Sequence, residues 1–373
     1  MSAQRRQAIA EMFRIIESKY GDFSTLVRPT HGRDAVLRTP TLTRTALADL
    51  FEHRVAAVHV PGFYPAAAAE RLAQRLLTDK SVNRRNWGIS VATDGDGAGA
   101  SDGGANGVGT SESGSGVARG LESTDVWAAG GTPHNVALGG GQAALDQYFD
   151  NAIDSMRQLR RCSSSSAVSA SASASASVSA LEEGSDTGEA AGRIAPRDDD
   201  TPVLPPIDQL RLELDEMWPD GATVAKDKAT GAAHLAGIGR IMRGPTQWAR
   251  GFCHADDLSV MSETRGTFSA NVYLQMPPNG AGGLSVWDVQ INSRWDFYRH
   301  AWTLSQLAAQ SAEGQARLRE RLPAPIAINP RPGDLVLICV QRPHAVDGFS
   351  KGTRVSQQVF LTHDRGKPIE LDS

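Results

Sequence analysis

Hydrophobic positions in the first half of the chain recur at helical spacing. Ile9, Met12, Phe13, Ile16 and Tyr20 are offset by 3, 4, 7 and 11 residues, so they share one face of a helix predicted over about residues 3–20. Further helices are predicted near 47–51, from the proline at position 65 onward, over about 141–161, and over about 207–217. The run VAAVHVPGFY at 55–64 predicts a strand between them.

Beyond about residue 222 the pattern changes to short apolar runs separated by glycine and proline. Their spacing and turn residues are typical of an antiparallel barrel or sandwich. The predicted strands cover residues 235–242, 253–260, 267–276, 284–290, 325–329, 334–340 and 353–363. Helices first and strands later predict an α+β fold, with helical support at 1–221 and a β core at 222–373, in a single domain over 1–373.

Two segments are too poor in apolar residues to pack. Residues 92–118 consist mainly of Gly, Ser and Asp, and residues 163–200 run from a serine tract through a Ser/Ala alternation into an acidic stretch. Such compositions bury too little apolar surface to offset the entropy of ordering the chain. We therefore predict two disordered insertions at these positions.

Composition narrows the class of protein. The chain has 373 residues, 40% of them hydrophobic, and no run approaches the ~20 apolar residues that a membrane span needs. Its formal charge of −4 is concentrated in residues 181–200, which carry seven acids against two arginines. The nearly neutral remainder gives no reason to expect a nucleic-acid partner. Three irregularly spaced cysteines argue against a disulfide framework, and we expect a cytoplasmic protein.

The run GFCHADDLSV contains the first candidate metal ligands. His254 and Asp256 are two residues apart, so on a strand both side chains would face the same side, while Cys253 and Asp257 would point away. His344 follows an apolar strand and is the natural third ligand. Two histidines and one carboxylate leave metal positions open, as in Fe(II) oxygenases, whereas a closed structural zinc site needs a fourth protein ligand.

A second pattern follows the third ligand. Arg354 lies ten residues after His344, and Ser356 comes two residues later, so strand alternation places both on one face. A guanidinium and a hydroxyl side by side are suited to binding a carboxylate. The combination of HxD, a distant His and this RxS pair is far more specific than HxD alone.

Together these motifs resemble the 2-oxoglutarate and Fe(II)-dependent dioxygenase superfamily over roughly residues 235–363. NVYLQMPPNGAGGLSVWD is similar to the family's strand, Gly-Gly turn and next strand, with Tyr273 where a tyrosine often reaches the 2-oxoglutarate tail. PGDLVLI resembles the strand that leads to the distal His. The resemblance implies a double-stranded β-helix, or jelly roll, and a single catalytic domain. It also implies Fe(II) on His254, Asp256 and His344, with 2-oxoglutarate on Arg354, Ser356 and Tyr273.

The resemblance further implies O₂-driven decarboxylation of 2-oxoglutarate, a ferryl-oxo species and hydroxylation of an unactivated C–H bond. No separate module for a macromolecule is apparent, so we expect a small-molecule substrate such as an amino acid or natural product. Alternatives are a protein or nucleic-acid hydroxylase of the same superfamily and a non-catalytic jelly-roll binding module. Because Asp256 is a carboxylate, halogenation is not expected, and the RxS pair argues against a zinc-dependent isomerase. The oligomeric state stays open.

Several other residues have simpler interpretations. His134, His234, His300 and His363 are expected to be surface or structural histidines, and Cys253 a buried cysteine. The tryptophans that flank the motifs could line a pocket or close the core; they are Trp248, Trp287 and Trp295. Asn271 shares the predicted face of Tyr273. Arg240 and Arg243, near the strand before HxD, are candidates for binding an anionic group of a substrate.

Overall fold

A computed structural model describes residues 2–27, 34–86, 125–164, 203–308 and 311–373. The predicted insertion at 92–118 lies outside these ranges, and the one at 163–200 does so from residue 165 onward, because Ser163 and Ser164 end a helix. The helices are α1 (Ala3–Tyr20), α2 (Arg44–Phe51), α3 (Ala66–Thr78), α4 (His134–Gly139), α5 (Gln142–Ser164), α6 (Pro206–Met217), α7 (Arg294–Arg299), α8 (Ala301–Leu304) and α9 (Ala312–Arg321).

Thirteen strands form in the described residues, and most are short. They are β1 (Val36–Arg38), β2 (Ala57–Val60), β3 (Arg84–Asn86), β4 (Val126–Ala129), β5 (Ala222–Val224), β6 (Ile238–Arg243), β7 (Arg265–Gln275), β8 (Leu284–Val286), β9 (Ile326–Ile328), β10 (Leu335–Cys339), β11 (His344–Val346), β12 (Thr353–Asp364) and β13 (Ile369–Asp372). None of the helices in these ranges combines the length and apolar character needed to cross a membrane.

Ten strands build one large sheet. Its main path is β1-β2-β10-β7-β12-β6-β4-β3, and β13 attaches to β12 and β5. The long central strands β7 and β12 pair antiparallel from Val355 and Gln275 to Asp364 and Arg265, with one register shift between Val355 and Ser356. Neighbours β10 and β6 also pair antiparallel with them, which fixes which side chains share each face.

The remaining strands form a small antiparallel sheet in the order β11-β8-β9. Leu284, Val286 and Ile328 from this sheet pack in one buried cluster with residues of the large sheet, among them Tyr273 and Ile338. The two sheets therefore face each other across an apolar layer.

Helices cover the opposite face of the large sheet. Leu47 of α2, Leu72 of α3 and Leu210 of α6 are almost fully buried in one cluster with the outward side chains of the central strands. The helix starts follow from local sequence, since the Thr43 hydroxyl accepts from the Ala46 amide and α3 begins directly after Pro65. A separate cluster beside the small sheet includes Leu304 of α8 and Leu318 of α9.

Most predicted elements are present. However, the predicted helical part, 1–221, also contains strands, and the predicted β part, 222–373, also contains helices. Four strands, β1–β4, lie before residue 222, and three helices, α7–α9, lie after it. These pieces are too short to show clear periodicity; β3, for example, is the polar run RRN. The predicted strand at 253–260 is wrong, since only His254 makes a β-bridge there, and the strand predicted at 284–290 ends at Val286.

Candidate functional site

His254 and His344 lie directly opposite each other at one end of the small sheet. The amide of each donates to the carbonyl of the other, at 3.0 Å and 2.8 Å, in an isolated antiparallel bridge. His344 opens β11, and His254 lies in an irregular segment held against it. The backbone bridge thus brings together two ligands that are 90 positions apart in the sequence.

Asp256 completes a group of three metal-ligating side chains. Its two carboxylate oxygens lie 3.7 Å from His254 Nε2 and 3.4 Å from His344 Nε2. One ligand atom from each residue lies within 4.8 Å of the others. The amide of Asp256 donates to the carbonyl of Val340 at 3.1 Å, so this loop is tied to the end of β10. The expected convergence of His254 and Asp256 therefore occurs without a regular strand.

The ring orientation of both histidines suits metal ligation. Nδ1 of His254 lies 3.0 Å from the carbonyl oxygen of Phe252, and Nδ1 of His344 lies 2.9 Å from that of Arg342. Because a carbonyl oxygen can only accept, each Nδ1 carries the proton. In the neutral ring, Nε2 then presents its lone pair toward Asp256, an arrangement typical of histidine metal ligands.

The charges of the three ligands are coupled. Burial, followed by the charge of His344, lowers the pKa of His254 to about 4. Burial opposes the charged form of His344, but the hydrogen bond and charge of Asp256 outweigh it and raise the pKa of His344 above its usual value. Burial likewise works to raise the pKa of Asp256, yet His344 and His254 together leave it lowered.

The donor set fits a divalent metal with open coordination positions. Two imidazole nitrogens and one carboxylate match the set used by non-haem Fe(II) sites. Within the described residues the group has three members, one fewer than a closed structural zinc site requires.

A second cluster of polar groups lies on the large sheet beside these ligands. Ser356 of β12 pairs in register with Tyr273 of β7, and Arg354 lies two residues away on the same face. The guanidinium carbon of Arg354 is 5.0 Å from the centre of the Tyr273 ring. All three side chains are buried.

Three polar atoms of these buried groups have no hydrogen-bond partner, whereas Nη1 of Arg354 contacts the sulfur of Met242 at 4.0 Å. Arg354 Nε, Ser356 Oγ and the Tyr273 hydroxyl make no hydrogen bond in the structure. Burial raises the pKa of Tyr273, while the charge of Arg354 opposes that rise, so the hydroxyl is the protonated form. Buried donors without partners suit the binding of a carboxylate.

One cavity contains both clusters. It lies between the inner face of the large sheet and the small sheet, and its walls outside the two clusters combine apolar and polar side chains. The apolar ones are Val126, Met242, Trp248, Phe252, Leu284, Ile338, Val346 and Phe360. The structure therefore brings all six predicted site residues into one cavity.

Of the remaining residues considered in the sequence, only Trp248 among Cys253, Asp257 and the three tryptophans lines the cavity. Cys253 points away from the cavity into a buried cluster, and burial raises its pKa to about 12. Of the three tryptophans, Trp248 lines the cavity, Trp287 is buried in the core and Trp295 is exposed against Tyr20. Asp257 closes a turn by accepting from the Ser259 amide.

Sequence reasoning missed several polar residues of the site. Ser269 and Gln358 also line the cavity, on the same sheet face as Asn271. Strand alternation could have predicted Gln358, because residues i and i+2 of a strand share a face and Gln358 lies two residues after Ser356. Gln315 on α9 hydrogen-bonds to the backbone of Cys253, next to His254. No local pattern in the sequence predicts this contact, because it depends on tertiary packing.

The four histidines that were predicted to be surface or structural residues are buried, except His134, which is partly buried. His134 and His234 pack edge-to-face at 4.7 Å, next to Tyr148. One ligand atom from each lies within 4.8 Å of one from Asp372, which makes a second group of metal-ligating side chains. Burial lowers the pKa of His134 to about 4. His300 and His363 pack against Phe23 and Phe51, respectively, which indicates structural roles.

Comparisons with known proteins give distant structural similarities. No protein-family model matches the chain, and no curated protein sequence matches it. An N-substituted L-amino acid dioxygenase from Burkholderia ambifaria is 20% identical over 44% of this chain and 65% of that enzyme, with a TM-score of 0.31. The match therefore spans just under two thirds of that enzyme.

A structure of a Burkholderia ambifaria N-substituted L-amino acid dioxygenase with alpha-KG is 17% identical, with a TM-score of 0.36. It matches over 67% of this chain and 86% of its own. HygX from Streptomyces hygroscopicus, with nickel and 2-oxoglutarate bound, is 10% identical over 87% of this chain and 88% of that enzyme, with a TM-score of 0.38.

Proposed function

We propose that this chain is an Fe(II)- and 2-oxoglutarate-dependent oxygenase with a single catalytic domain. The observation that carries the proposal is the presence of two complementary clusters in one cavity. A His-His-Asp group presents ligand atoms for a metal, and a buried Arg-Ser-Tyr group has three polar atoms without a hydrogen-bond partner, which suits the binding of a carboxylate. The two facing sheets are then the major and minor sheets of a double-stranded β-helix.

In this proposal each residue has a distinct task. His254, Asp256 and His344 hold the metal, and the carbonyls of Phe252 and Arg342 keep the two rings in the ligating orientation. Arg354 and Ser356 bind the distal carboxylate of 2-oxoglutarate, with the Tyr273 hydroxyl as a third donor.

The cavity walls also contribute. When bound, Fe(II) and 2-oxoglutarate supply the oxidising power, by coupling decarboxylation of the co-substrate to the activation of O₂. The apolar side chains around them, including Trp248, Phe252 and Met242, exclude water and hold the carbon skeleton of the substrate. Hydroxylation of a C–H bond of a small molecule is the reaction we propose.

The test is the visible charge-transfer band that forms when 2-oxoglutarate chelates Fe(II) in the anaerobic protein. We expect the band in the wild type, its loss in His344→Ala and a much higher 2-oxoglutarate requirement in Arg354→Ala. Arg243→Gln is the matched control, because Arg243 is exposed and its side chain lies over Trp127 rather than in the cavity.

The outcomes separate the alternatives. Iron binding without the band would mean that the Arg354 cluster holds another ligand. Failure to bind Fe(II) or Mn(II) would favour a non-catalytic binding module of the same fold.

A further inference from the structure

The second group of metal-ligating side chains, His134, His234 and Asp372, lies outside the cavity. It is built from three elements, since His134 begins α4, His234 lies in the loop before β6, and Asp372 ends β13. One ligand atom from each lies within 4.8 Å of the others, and none of the three residues lines the cavity. The group therefore shares no residue with the two clusters of the candidate site.

The group has ligand atoms that the protein itself does not use. Within the part of the chain that the structure describes, neither the ring of His134 nor the carboxylate of Asp372 makes a hydrogen bond or an ion pair. The His134 ring contacts only other rings, among them those of Tyr148 and His234. A carboxylate and an imidazole that face each other without partners are suited to a shared cation.

The backbone of each ligand is held by neighbouring elements. The amide of His134 donates to the carbonyl of Ser373 at 2.9 Å, and the amide of His234 donates to that of Ala225 at 2.8 Å. Asp372 belongs to β13, which pairs antiparallel with β12. The three backbone positions are therefore fixed, and an ion would have to order only side-chain torsions.

Tyr148 orients the ring of His234. Its hydroxyl oxygen accepts from the Leu235 amide at 2.9 Å and lies 3.5 Å from the Ser373 carbonyl oxygen and 3.4 Å from His234 Nδ1. The hydroxyl proton serves Ser373, because a carbonyl oxygen can only accept, and a proton on His234 Nδ1 then satisfies the remaining contact. This leaves the Nε2 lone pair for a metal, as in histidine ligands whose other nitrogen is hydrogen-bonded.

The donor set and its spacing suit a transition-metal ion. Ligand bonds of about 2.0–2.1 Å place two ligands of a tetrahedral Zn²⁺ roughly 3.3 Å apart. Because the atoms already lie within 4.8 Å of one another, side-chain rotation has to close each pair by at most ~1.5 Å. Imidazole nitrogens favour Zn²⁺, Co²⁺ or Ni²⁺ over Mg²⁺ and Ca²⁺, which prefer oxygen ligands. Three protein ligands leave a fourth position for water.

An ion can reach the group from solvent. His134 and Asp372 are both partly exposed. A surface cavity lies next to them, and its walls include Val136, Tyr148 and Leu235. Binding therefore needs no opening of the fold.

We propose that His134, His234 and Asp372 bind a divalent transition-metal ion of the Zn²⁺ type, at a site separate from the one proposed for Fe(II). The ion joins α4, the loop before β6 and β13. Strand β6 contributes Arg240 to the cavity wall, and Asn135, which follows His134, lines the same cavity. The ion thus stabilises the cavity wall from behind and takes no part in the reaction. This inference does not depend on the proposed function.

Equilibrium dialysis of the full-length protein against Zn²⁺ counts the sites. Excess Mg²⁺ is present throughout, so that it occupies exposed carboxylates. Each group offers two histidines and one aspartate, so we expect two Zn²⁺ ions per wild-type chain. We expect one ion in His344→Ala, one in Asp372→Asn, and none in the double variant.

Two variants and a control assign the second ion. Asp372→Asn preserves the shape of the side chain, and His134→Gln removes a ligand from a different element. Each should weaken the second ion by about 100-fold or more, since even residues that only position ligands change metal affinity by about 10- to 100-fold. Asp364→Asn makes the same chemical change on β12 and should keep both ions. Circular dichroism of each variant excludes unfolding as the cause of a loss.

Co²⁺ gives a second readout in His344→Ala, where the first group is incomplete. Its visible absorption depends on the ligands and geometry of the bound ion. We expect a band from the second group in His344→Ala that is absent from the double variant with Asp372→Asn.

The pattern of losses decides the outcome. A single Zn²⁺ per wild-type chain that is lost in His344→Ala and kept in Asp372→Asn would overturn the proposal. A second ion that persists in both Asp372→Asn and His134→Gln would also overturn it, because that ion would be held by other residues. A single ion with the reverse dependence would support the second site and count against the metal site of the proposed oxygenase.

Discussion

The side-chain amide of Gln315 hydrogen-bonds to both polar groups of the Cys253 backbone. Its Oε1 accepts from the Cys253 amide and its Nε2 donates to the Cys253 carbonyl, each at 2.8 Å. One turn later on α9, Arg319 donates to the carbonyls of Arg250 and Gly251 at 2.7 Å. Helix α9 therefore fixes the irregular backbone that immediately precedes His254.

Replacing Gln315 should weaken metal binding without touching a ligand. Gln315→Leu fills similar space but leaves the buried amide and carbonyl of Cys253 without partners, so the loop loses its defined path. We expect metal affinity to fall by ~10- to 100-fold, the range typical of residues that position metal ligands. Equilibrium titration with Mn(II) measures this.

Gln290→Leu is the matched control for that variant. Gln290 is equally buried, but its side chain donates to the His53 carbonyl, away from the ligand loop. Gln315→Leu should lower the free energy of unfolding and the metal affinity together, whereas Gln290→Leu should leave metal affinity unchanged. Unchanged affinity in Gln315→Leu would show that the backbone bridge to His344 suffices to place His254.

The pH dependence of metal binding should report one proton, lost from His344. The pKa of His254 is about 4, so this ring is already neutral near pH 6, whereas Asp256 raises the pKa of His344 above its usual value. Ligation needs the neutral imidazole. Metal affinity should therefore rise about tenfold per pH unit below the His344 pKa and level off above it.

Calorimetry in two buffers of different ionisation enthalpy counts the released protons directly. Near pH 6 we expect about one proton per metal ion, and close to none at alkaline pH. Release of two protons near pH 6 would mean that His254 is also charged there. Release of none would mean that Asp256 does not stabilise the charged form of His344.

The parts of the site that depend on neighbouring residues in the sequence were predictable, whereas those that depend on contacts between distant segments were not. HxD and RxS are local patterns, so alternation alone placed Arg354 and Ser356 on one face. The Arg354 to Tyr273 contact depends on the register of β7 and β12, and only the family resemblance indicated that Tyr273 belongs to the same site. Gln315 could not be predicted, because nothing in the sequence of α9 indicates which backbone its amide meets.

The elements of the fold also differ in how well the sequence predicts them. Long amphipathic helices such as α1 and α5 have enough turns for their apolar stripe to be visible. Strand β1 has only three residues and is recognisable only through its pairing with β2. His254 converges with Asp256 although the segment is irregular, because its bridge to His344 and the α9 contacts replace the strand that the pattern predicted.

Removing the Ser356 hydroxyl should affect the apo and loaded protein in opposite ways. Ser356 Oγ is buried and has no hydrogen-bond partner in the structure. Ser356→Ala should therefore leave the free energy of unfolding of the apoprotein unchanged or raise it by up to ~1 kcal/mol. Its affinity for 2-oxoglutarate should fall about five- to tenfold, because a donor to the carboxylate is lost.

Ser285→Ala should give the reverse pattern, because the Ser285 hydroxyl already donates to Asp347 at 2.9 Å. Its loss should destabilise the apoprotein while leaving the affinity for 2-oxoglutarate unchanged. Urea unfolding of both apoproteins, with titrations of 2-oxoglutarate in the presence of Mn(II), distinguishes the two. Equal 2-oxoglutarate affinity in Ser356→Ala and the wild type would remove Ser356 from the proposed subsite.

Asp372 should destabilise the protein at alkaline pH. Burial, with a smaller contribution from the charge of Glu370, raises its pKa from 3.8 to about 6. The folded state thus holds this proton more tightly than the unfolded state, so stability falls as pH rises from about 4 through about 6. Asp372→Asn should raise the free energy of unfolding at pH 8 by up to ~3 kcal/mol and have little effect near pH 4.

The measurement is urea unfolding of wild type and Asp372→Asn at pH 4.5 and pH 8, with a chelator present. Asp364→Asn serves as the control, because the hydrogen bond with Lys367 lowers the pKa of the partly exposed Asp364, and its loss should not stabilise the protein at pH 8. Repeating the pH 8 series with Zn²⁺ in place of the chelator tests the second group, formed with His134 and His234. If Zn²⁺ stabilises the wild type more than Asp372→Asn, in which the His254 site is intact, the second group binds metal, and the raised pKa belongs only to its metal-free form.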